Sequence, residues 1–356
     1  MTQALPLATA ANTRKMPAAF CFISSRLFER DFRAPLINAL AKKGNEVWHV
    51  RIGRRNVLTK PNGQSVMFDG VYGFLKLVSW LNACCRELTP HIIFVDTTGA
   101  YVPTRSLILR LLLRGVWCFD IFDNLLYDSH GIYRLKRCVD ITLLARLCRI
   151  KIVLSCETLR LFPNAFHLDN AADTTRVRRP PESFTNLLIL FEIGWRFDFG
   201  LVQEVAALAP DLNIYLYGRV ASGDATIKRE LNDLCAKCPN VIYRGEYRPG
   251  DVDTILAAFG IAFAPYVTDN ALTEFINPDK YYLFLNSGME VISTGIPQAL
   301  RMEKHIHIGR SASEIVALVA RIKSDRAFRK NIDFGTGFNW ATRADDLLKL
   351  VQVHTL

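Results

Sequence analysis

Lys280 sits in the stretch "INPDKYYLFLNSGMEVISTGIPQA", at the start of a short helix, where the helix dipole repels a cation. Asn277 is a suitable N-cap, Pro278 suits the first helical position, and the apolar run that follows Asp279 and Lys280 stops at Gly288. A phosphate in front of the helix resolves the conflict, because unpaired backbone N–H groups and the positive dipole end both favour an anion. The alternative is that Lys280 reaches solvent or pairs with Asp279 or Glu274. Two further cations follow strand-like segments in the same half: Arg196 after the Gly194 turn, and Arg219 directly after "YLYG". Thr273, Glu274 and Asn277 precede the helix with a hydroxyl, a carboxylate and an amide that can hydrogen-bond ligand hydroxyls. In the first half, Asp123 lies just beyond the strand "VWCFD", at the end of the strand where parallel sheets do their chemistry. It is the first choice for a general base; Asp120 and Asp128 are next, and His130 is placed to orient a carboxylate.

Metal-ligand spacing is weak by comparison. Cys235 and Cys238 form a C-x-x-C with no second pair, at the expected end of a helix rather than its start. His305 and His307 are explained by alternation in a short strand. No metal site is expected.

The elements that must position these groups alternate. "AFCFISS", "EVWHVRI", "HIIFVD", "VWCFD" and "IKIVLS" read as buried strands, with helices such as "RDFRAPLINALAKKG" between them. Continuous apolar strands separated by helices predict a parallel sheet covered on both faces. From about Ser183 the pattern restarts with "NLLILFEIG", "NIYLYGRV", "NVIYRGEY", "GIAFAPYV" and "EVIST". The reading is α/β, with two Rossmann-like domains facing across a cleft, 19–178 and 179–356, joined by the charged, proline-containing "TTRVRRPPES". The last helix is expected to be able to pack back on the first domain. Residues 1–18 read as a disordered extension, with Arg14 and Lys15 after the apolar part, the wrong order for a signal peptide.

The chain has 356 residues, 50% of them hydrophobic, and a net charge of +10. Positions 1–178 hold 25 lysines and arginines against 13 aspartates and glutamates, while 179–356 hold 19 against 21. The excess lies wholly in the first half, which implies an anionic partner there. Arg110 and Arg114 in "TRSLILRLLLRG" are four apart, on one helical face with leucines filling the rest, and "YRLKRCVDITLLARLCRIK" repeats the theme, which suits an anionic membrane surface. Ordinary core helices with solvated basic faces are the alternative. Nucleic acid is disfavoured, since basic residues are not interleaved with aromatics along a groove. Nine irregularly spaced cysteines suggest reduced thiols in a cytoplasmic compartment, and no apolar run of about 18 residues predicts a membrane span. The first strand is followed by "FISSRLFER", without G-x-G-x-x-G, which disfavours a dehydrogenase.

Taken in order, these segments resemble the GT-B nucleotide-sugar glycosyltransferases, most closely the bacterial exopolysaccharide and teichuronic-type group with its glucuronosyltransferase-like members. Pro278, Lys280, Gly288 and "VIST" to Thr294 match that family's Pro-x-Lys, helix, Gly and strand; Gly194, Arg196 and Asp198 match the opening of its donor domain. "NVIYRGEYRPGDVDTILAAFGIAFAPY", "FDIFDNLLYD", "FHLDNAAD" and "NWATRADDLLKL" fall at the matching places, from about Phe20 onward. Leu283 stands where many relatives carry a glutamate towards the ribose, Glu290 where they carry a proline, and Ala171 for a glycine.

The resemblance implies transfer of a sugar from a nucleotide diphosphate donor, UDP-linked, to a lipid-linked or polysaccharide acceptor at the cytoplasmic membrane face. It casts Gly194, Arg196, Arg219, Thr273, Glu274, Asn277 and Lys280 as donor-binding, Asp123 as catalytic, and Arg110 and Arg114 as facing membrane or acceptor. The three cationic elements would stabilise the departing diphosphate without a metal or other cofactor. The alternatives are a catalytically silent sugar-nucleotide-binding protein and a sugar-nucleotide epimerase of the same fold.

Overall fold

The computed structural model describes residues 19–28, 31, 33–53, 56–60, 62–68, 72–87, 92–97, 103–121, 131–173, 181–221, 224–330 and 338–355. Asp123, Asp128, His130, the 1–18 extension and 174–180 of the expected linker lie outside these.

The first sheet contains β1 (Ala19–Ser24), β2 (Glu46–Arg51), β3 (Asn56–Thr59), β4 (Ser65–Phe68), β5 (Ile92–Asp96), β6 (Val116–Ile121), β7 (Ile150–Val153) and β8 (Phe166–His167). Its order is β4-β3-β2-β1-β5-β6-β7-β8. β1 and β5 are buried along their whole length, as continuous apolar runs require in a parallel sheet covered on both faces. The expectation of a purely parallel sheet fails at one edge, where β3 pairs antiparallel with both β2 and β4. An Asn62-Gly63 turn makes that hairpin, with Gly63 at φ 84°. The hairpin leaves Val66 and Met67 exposed.

The second sheet contains β9 (Leu187–Leu190), β10 (Ile214–Tyr217), β11 (Val241–Gly245), β12 (Ile261–Ala264), β13 (Glu290–Ser293) and β14 (Ile306–Ile308), all parallel in the order β11-β10-β9-β12-β13-β14. Strand order reverses between β1 and β5 in the first sheet and between β9 and β12 in the second. In open α/β sheets, ligands settle outside the strand ends at such reversals.

Glu290 and His307, on neighbouring strands, form a buried pair 3.0 Å apart, and Glu290 also accepts from the Lys330 amide. Glu290, set apart in the sequence as a departure from the related pattern, is thus a structural carboxylate with its partners in place. The last helix, Trp340–Thr355, leaves the second half and packs Trp340, Ala344, Leu347 and Val351 into the core beside Phe20, Leu36 and Ile93 of the first. No helix among the described residues is long and apolar enough to cross a membrane.

Candidate functional site

A cleft of about 770 Å³ runs between the two sheets, at the strand ends where both orders reverse. From the second half it is lined by the Gly194-Trp195-Arg196 turn after β9, by Arg219 after β10, and by Pro278 with Asp279, Lys280 and Leu283 of the helix Asp279–Ser287 that follows it. Arg26 and Asp31, beyond β1, line it from the first half.

Lys280 keeps the position expected of it, with its side chain 21% exposed and its ammonium 3.9 Å from Asp279. Burial alone would lower its pKa, but the carboxylate of Asp279, with Tyr247 and Glu192, outweighs that and holds it above its ordinary value. The lysine is therefore a permanent cation at the cleft. The helix start differs from the expected one: Pro278 occupies the N-cap, with no side-chain cap, and Gly288 closes the helix in the left-handed conformation at φ 88°. The N–H groups of the first turn thus receive no capping side chain, which suits them to an anion.

Asn277, expected to cap that helix, does something else. Its amide donates to the Leu154 carbonyl at 2.8 Å and to Asp169 at 3.0 Å, and its oxygen accepts from the Tyr282 hydroxyl at 2.9 Å. Asn170 donates to the Asn277 carbonyl. Arg301 donates to Asp169 at 2.8 Å and contacts His167 at 2.9 Å. These bonds join the two halves behind the cleft. Asn277 reaches the cleft wall, but its amide is already engaged.

Arg196 lines the cleft half-buried. Arg219 also lines it, 2.9 Å from Glu192, and that bond raises its pKa above the ordinary value. A diphosphate at Arg219 would compete with Glu192 for the guanidinium. Gly218, just before Arg219, is a position only glycine can fill: its φ is 149°, and a Cβ would fall 1.6 Å from the Phe191 carbonyl oxygen. Asp198 caps the helix Phe199–Leu208 by accepting from the Leu201 amide.

Thr273 does not line the cleft. Its buried hydroxyl donates to the Val267 and Asn270 carbonyls at 2.7 and 2.9 Å, so it stabilises the turn before the helix. Glu274 is exposed and also away from the cleft lining. In the first half, Arg110 packs over Trp117 and donates to the Leu147 carbonyl. Arg114 is exposed and lies past the end of the helix Pro103–Leu112, so the two do not share a helical face as expected. Asp120, an alternative base, is buried and held by two 2.7 Å bonds from Arg33.

Two cleft residues escaped the sequence reading. Trp195 lines the cleft while 60% exposed, so its indole offers a broad apolar face to a ligand that enters there. Its signal was present as a tryptophan inside a glycine turn at a strand end. Asp31 faces the cleft and is backed by buried His49 at 2.9 Å, a pairing between residues 18 positions apart that no local pattern reveals. Burial would raise the Asp31 pKa, but the hydrogen bonds from His49, Ser24 and the Arg33 amide lower it overall. Among the described residues no three His, Cys, Asp or Glu side chains converge as metal donors, and Cys235 and Cys238 remain thiols. The chain's Asp-x-Asp, Asp251 and Asp253, lies away from the cleft lining, with Asp251 accepting from the Arg248 amide.

No family model matches the chain. It is 28% identical over 110 residues to a Bacillus subtilis (strain 168) protein named as the teichuronic acid biosynthesis glycosyltransferase TuaH, a match spanning 31% of this chain and 26% of that relative. Among solved structures, a glycosyltransferase from Rickettsia africae ESF-5 superposes with a TM-score of 0.66 at 9% identity, covering 95% of this chain and 99% of that one. The lipopolysaccharide outer core galactosyltransferase WaaB gives 0.58 at 10%, covering 94% and 99%. TarM gives 0.58 at 12%, covering 84% of this chain and 61% of its own. The two facing Rossmann-like sheets are the GT-B fold, and the chain resembles GT-B glycosyltransferases of bacterial cell-surface polysaccharide.

Proposed function

We propose that the protein is a glycosyltransferase that moves a sugar from a nucleotide diphosphate donor, UDP-linked, to a lipid-linked or polysaccharide acceptor in cell-surface polysaccharide synthesis. The observation that carries this reading is the uncapped start of the helix Asp279–Ser287, with its charged Lys280, facing the Gly194-Trp195-Arg196 turn across one cleft. The pneumococcal O-GlcNAc transferase GtfA, in complex with UDP and GlcNAc, shares this fold with a TM-score of 0.54 at 12% identity.

In this reading the diphosphate lies against the first-turn N–H groups and Lys280, with Arg196 and Arg219 alongside, and needs no metal. Trp195 covers a flat face of the donor. A carboxylate from the first half, Asp123 or Asp31, takes the proton of the acceptor hydroxyl. That oxygen bonds to the anomeric carbon, the bond from this carbon to the diphosphate breaks, and the nucleoside diphosphate leaves with the electron pair. Leu283 in the cleft wall, where a ribose-binding glutamate would stand in relatives, favours a second reading as a binding protein without transfer.

Thermal shift against a panel of sugar nucleotides, followed by an assay of nucleotide release with membrane extract, separates the two. Stabilisation by a UDP-sugar with acceptor-dependent release of UDP supports transfer. Stabilisation without release supports the silent reading, and no stabilisation by any sugar nucleotide overturns both.

A further inference from the structure

Glu192 is the first outward-facing position beyond β9. Phe191 and Ile193 on either side of it are buried, so the alternation of an extended chain turns Glu192 out to the cleft. Arg219 stands in the corresponding place beyond β10. The two segments stay paired past the ends of their strands: the Phe191 amide donates to the Tyr217 carbonyl and the Ile193 amide to the Arg219 carbonyl, both at 2.9 Å. That register sets the Glu192 carboxylate 2.9 Å from the Arg219 guanidinium. Glu246, exposed beyond β11, adds a weaker pull on the same cation. The pair is open to water, its side chains 54% and 57% exposed, so it adds little to the stability of the fold. The other acidic groups of the cleft lining have roles in the fold. Asp31 is buried against His49, Asp173 accepts from the Trp340 amide, and Asp279 suits the positive end of its helix. Glu192 has no comparable role, yet it stands among the cations. It bonds Arg219, and its charge reaches Lys280, whose pKa burial lowers and Asp279, Tyr247 and Glu192 together hold up.

We infer that Glu192 is a resident counter-ion of Arg219, which an entering diphosphate must displace and which returns to the guanidinium as the nucleoside diphosphate product leaves. The inference rests on the nucleotide diphosphate donor proposed above and adds how that site lets go of its product. A diphosphate can offer Arg219 two oxygens in the plane of the guanidinium fork, whereas Glu192 holds it through Nη2 alone. The exchange is therefore favourable on entry, and the displaced carboxylate regains water. On departure the carboxylate is already in register, so UDP does not leave a bare guanidinium behind. In many enzymes release of product, not chemistry, limits turnover. A carboxylate that contests one of the three cations shortens the stay of the product, while Lys280 and Arg196 still hold the donor.

Isothermal titration of the full chain with UDP, inorganic pyrophosphate and uridine tests it. Glu192→Gln keeps the shape of the side chain and removes its charge, so UDP and pyrophosphate should bind about two- to fivefold tighter, the range of an exposed ion pair, with uridine unchanged. Glu192→Ala should tighten them as much or more. Most of the gain should disappear in the Arg219→Gln background, because the exchange then has no guanidinium to act on. Dissociation of UDP, followed by stopped flow, should slow by a similar factor in Glu192→Gln. Both Glu192 variants should keep the unaltered chain's melting temperature, since the residue is exposed. The inference is overturned if Glu192→Gln leaves diphosphate affinity unchanged, or weakens it as removal of a carboxylate that steadies Arg219 for the ligand would. It is equally overturned if the gain persists undiminished without Arg219. Its failure is separable from that of the donor reading. UDP bound equally with and without the Glu192 charge defeats the counter-ion alone. Pyrophosphate tightened while UDP is not bound defeats the nucleotide reading alone, and no binding of either anion defeats both.

Discussion

Arg33 and Asp120, 87 positions apart in the chain, face each other in the interior beside the first sheet through two 2.7 Å hydrogen bonds, each side chain 1% exposed. A carboxylate so held is a structural anion. Asp120→Asn should therefore unfold the protein more readily, by about 3–5 kcal/mol in chemical denaturation, because it strands a buried guanidinium. Replacing both partners, as Arg33→Met with Asp120→Leu, should recover much of that. A stable Asp120→Asn protein with normal donor binding and no transfer would return Asp120 to the list of bases.

Lys280→Ala should weaken binding of UDP and UDP-sugars by about tenfold or more while leaving uridine binding nearly unchanged, since only the diphosphate meets the ammonium. Isothermal titration with the three ligands decides it. Equal loss for uridine would show that the lysine shapes the pocket and does not bind the anion.

Asp123→Asn and Asp31→Asn distinguish the two candidate bases. The true base should lose about 10²–10⁴-fold in turnover with donor affinity kept. Asp31 has a structural partner in His49, so its replacement should also lower stability. Its folded pKa lies below the ordinary 3.8, and its contribution is therefore present at neutral pH and lost as pH falls through the folded value. If both variants keep turnover, the acceptor proton goes elsewhere.

Trp195 should report donor binding. Its indole is exposed at the cleft, whereas Trp48, Trp117 and Trp340 are buried, so a ligand that covers it should change the emission spectrum. Trp195→Phe should remove most of that change and Trp195→Ala should weaken donor binding by about 1–2 kcal/mol, the scale of a lost aromatic contact. An unchanged affinity in the alanine variant rejects a donor-covering role.

His167 should make the join between the two halves sensitive to acid. Burial lowers its pKa below the ordinary 6.5; Asp169 opposes the shift, while Arg301 and Arg343 reinforce it. The unfolded chain then binds this proton more readily than the folded one, so stability falls as pH drops through about 6.5 towards the folded value. Melting temperature followed from about pH 7.5 to 5.5 should drop, and His167→Gln should reduce that drop. An identical pH profile in the variant rules it out.

The sequence by itself determined two α/β units and the parallel strands of each, because a strand buried on both faces must be a continuous apolar run. β1, β5, β6, β9 and β12 are such runs. It also determined the helix that ends at Gly288 and the cations Arg196, Arg219 and Lys280 at strand or helix ends, since stop signals and loop positions are local. Tertiary structure decided what those side chains do. Asn277 has the chemistry of a cap, yet the Leu154 carbonyl and Asp169, over a hundred positions away, take its amide. Thr273 turns inward and Arg219 meets Glu192 for the same reason: a polar group takes the nearest partner the fold supplies, and proximity across the chain is not written in spacing. The apolar runs also left out the hairpin at the Asn62-Gly63 turn, because its short strands are set by antiparallel pairing and not by burial on both faces. The outward leucines of Gly131–Leu147 illustrate the same limit. Periodicity marks an apolar stripe on a helix, but only the position of the sheet decides whether that stripe is core or surface.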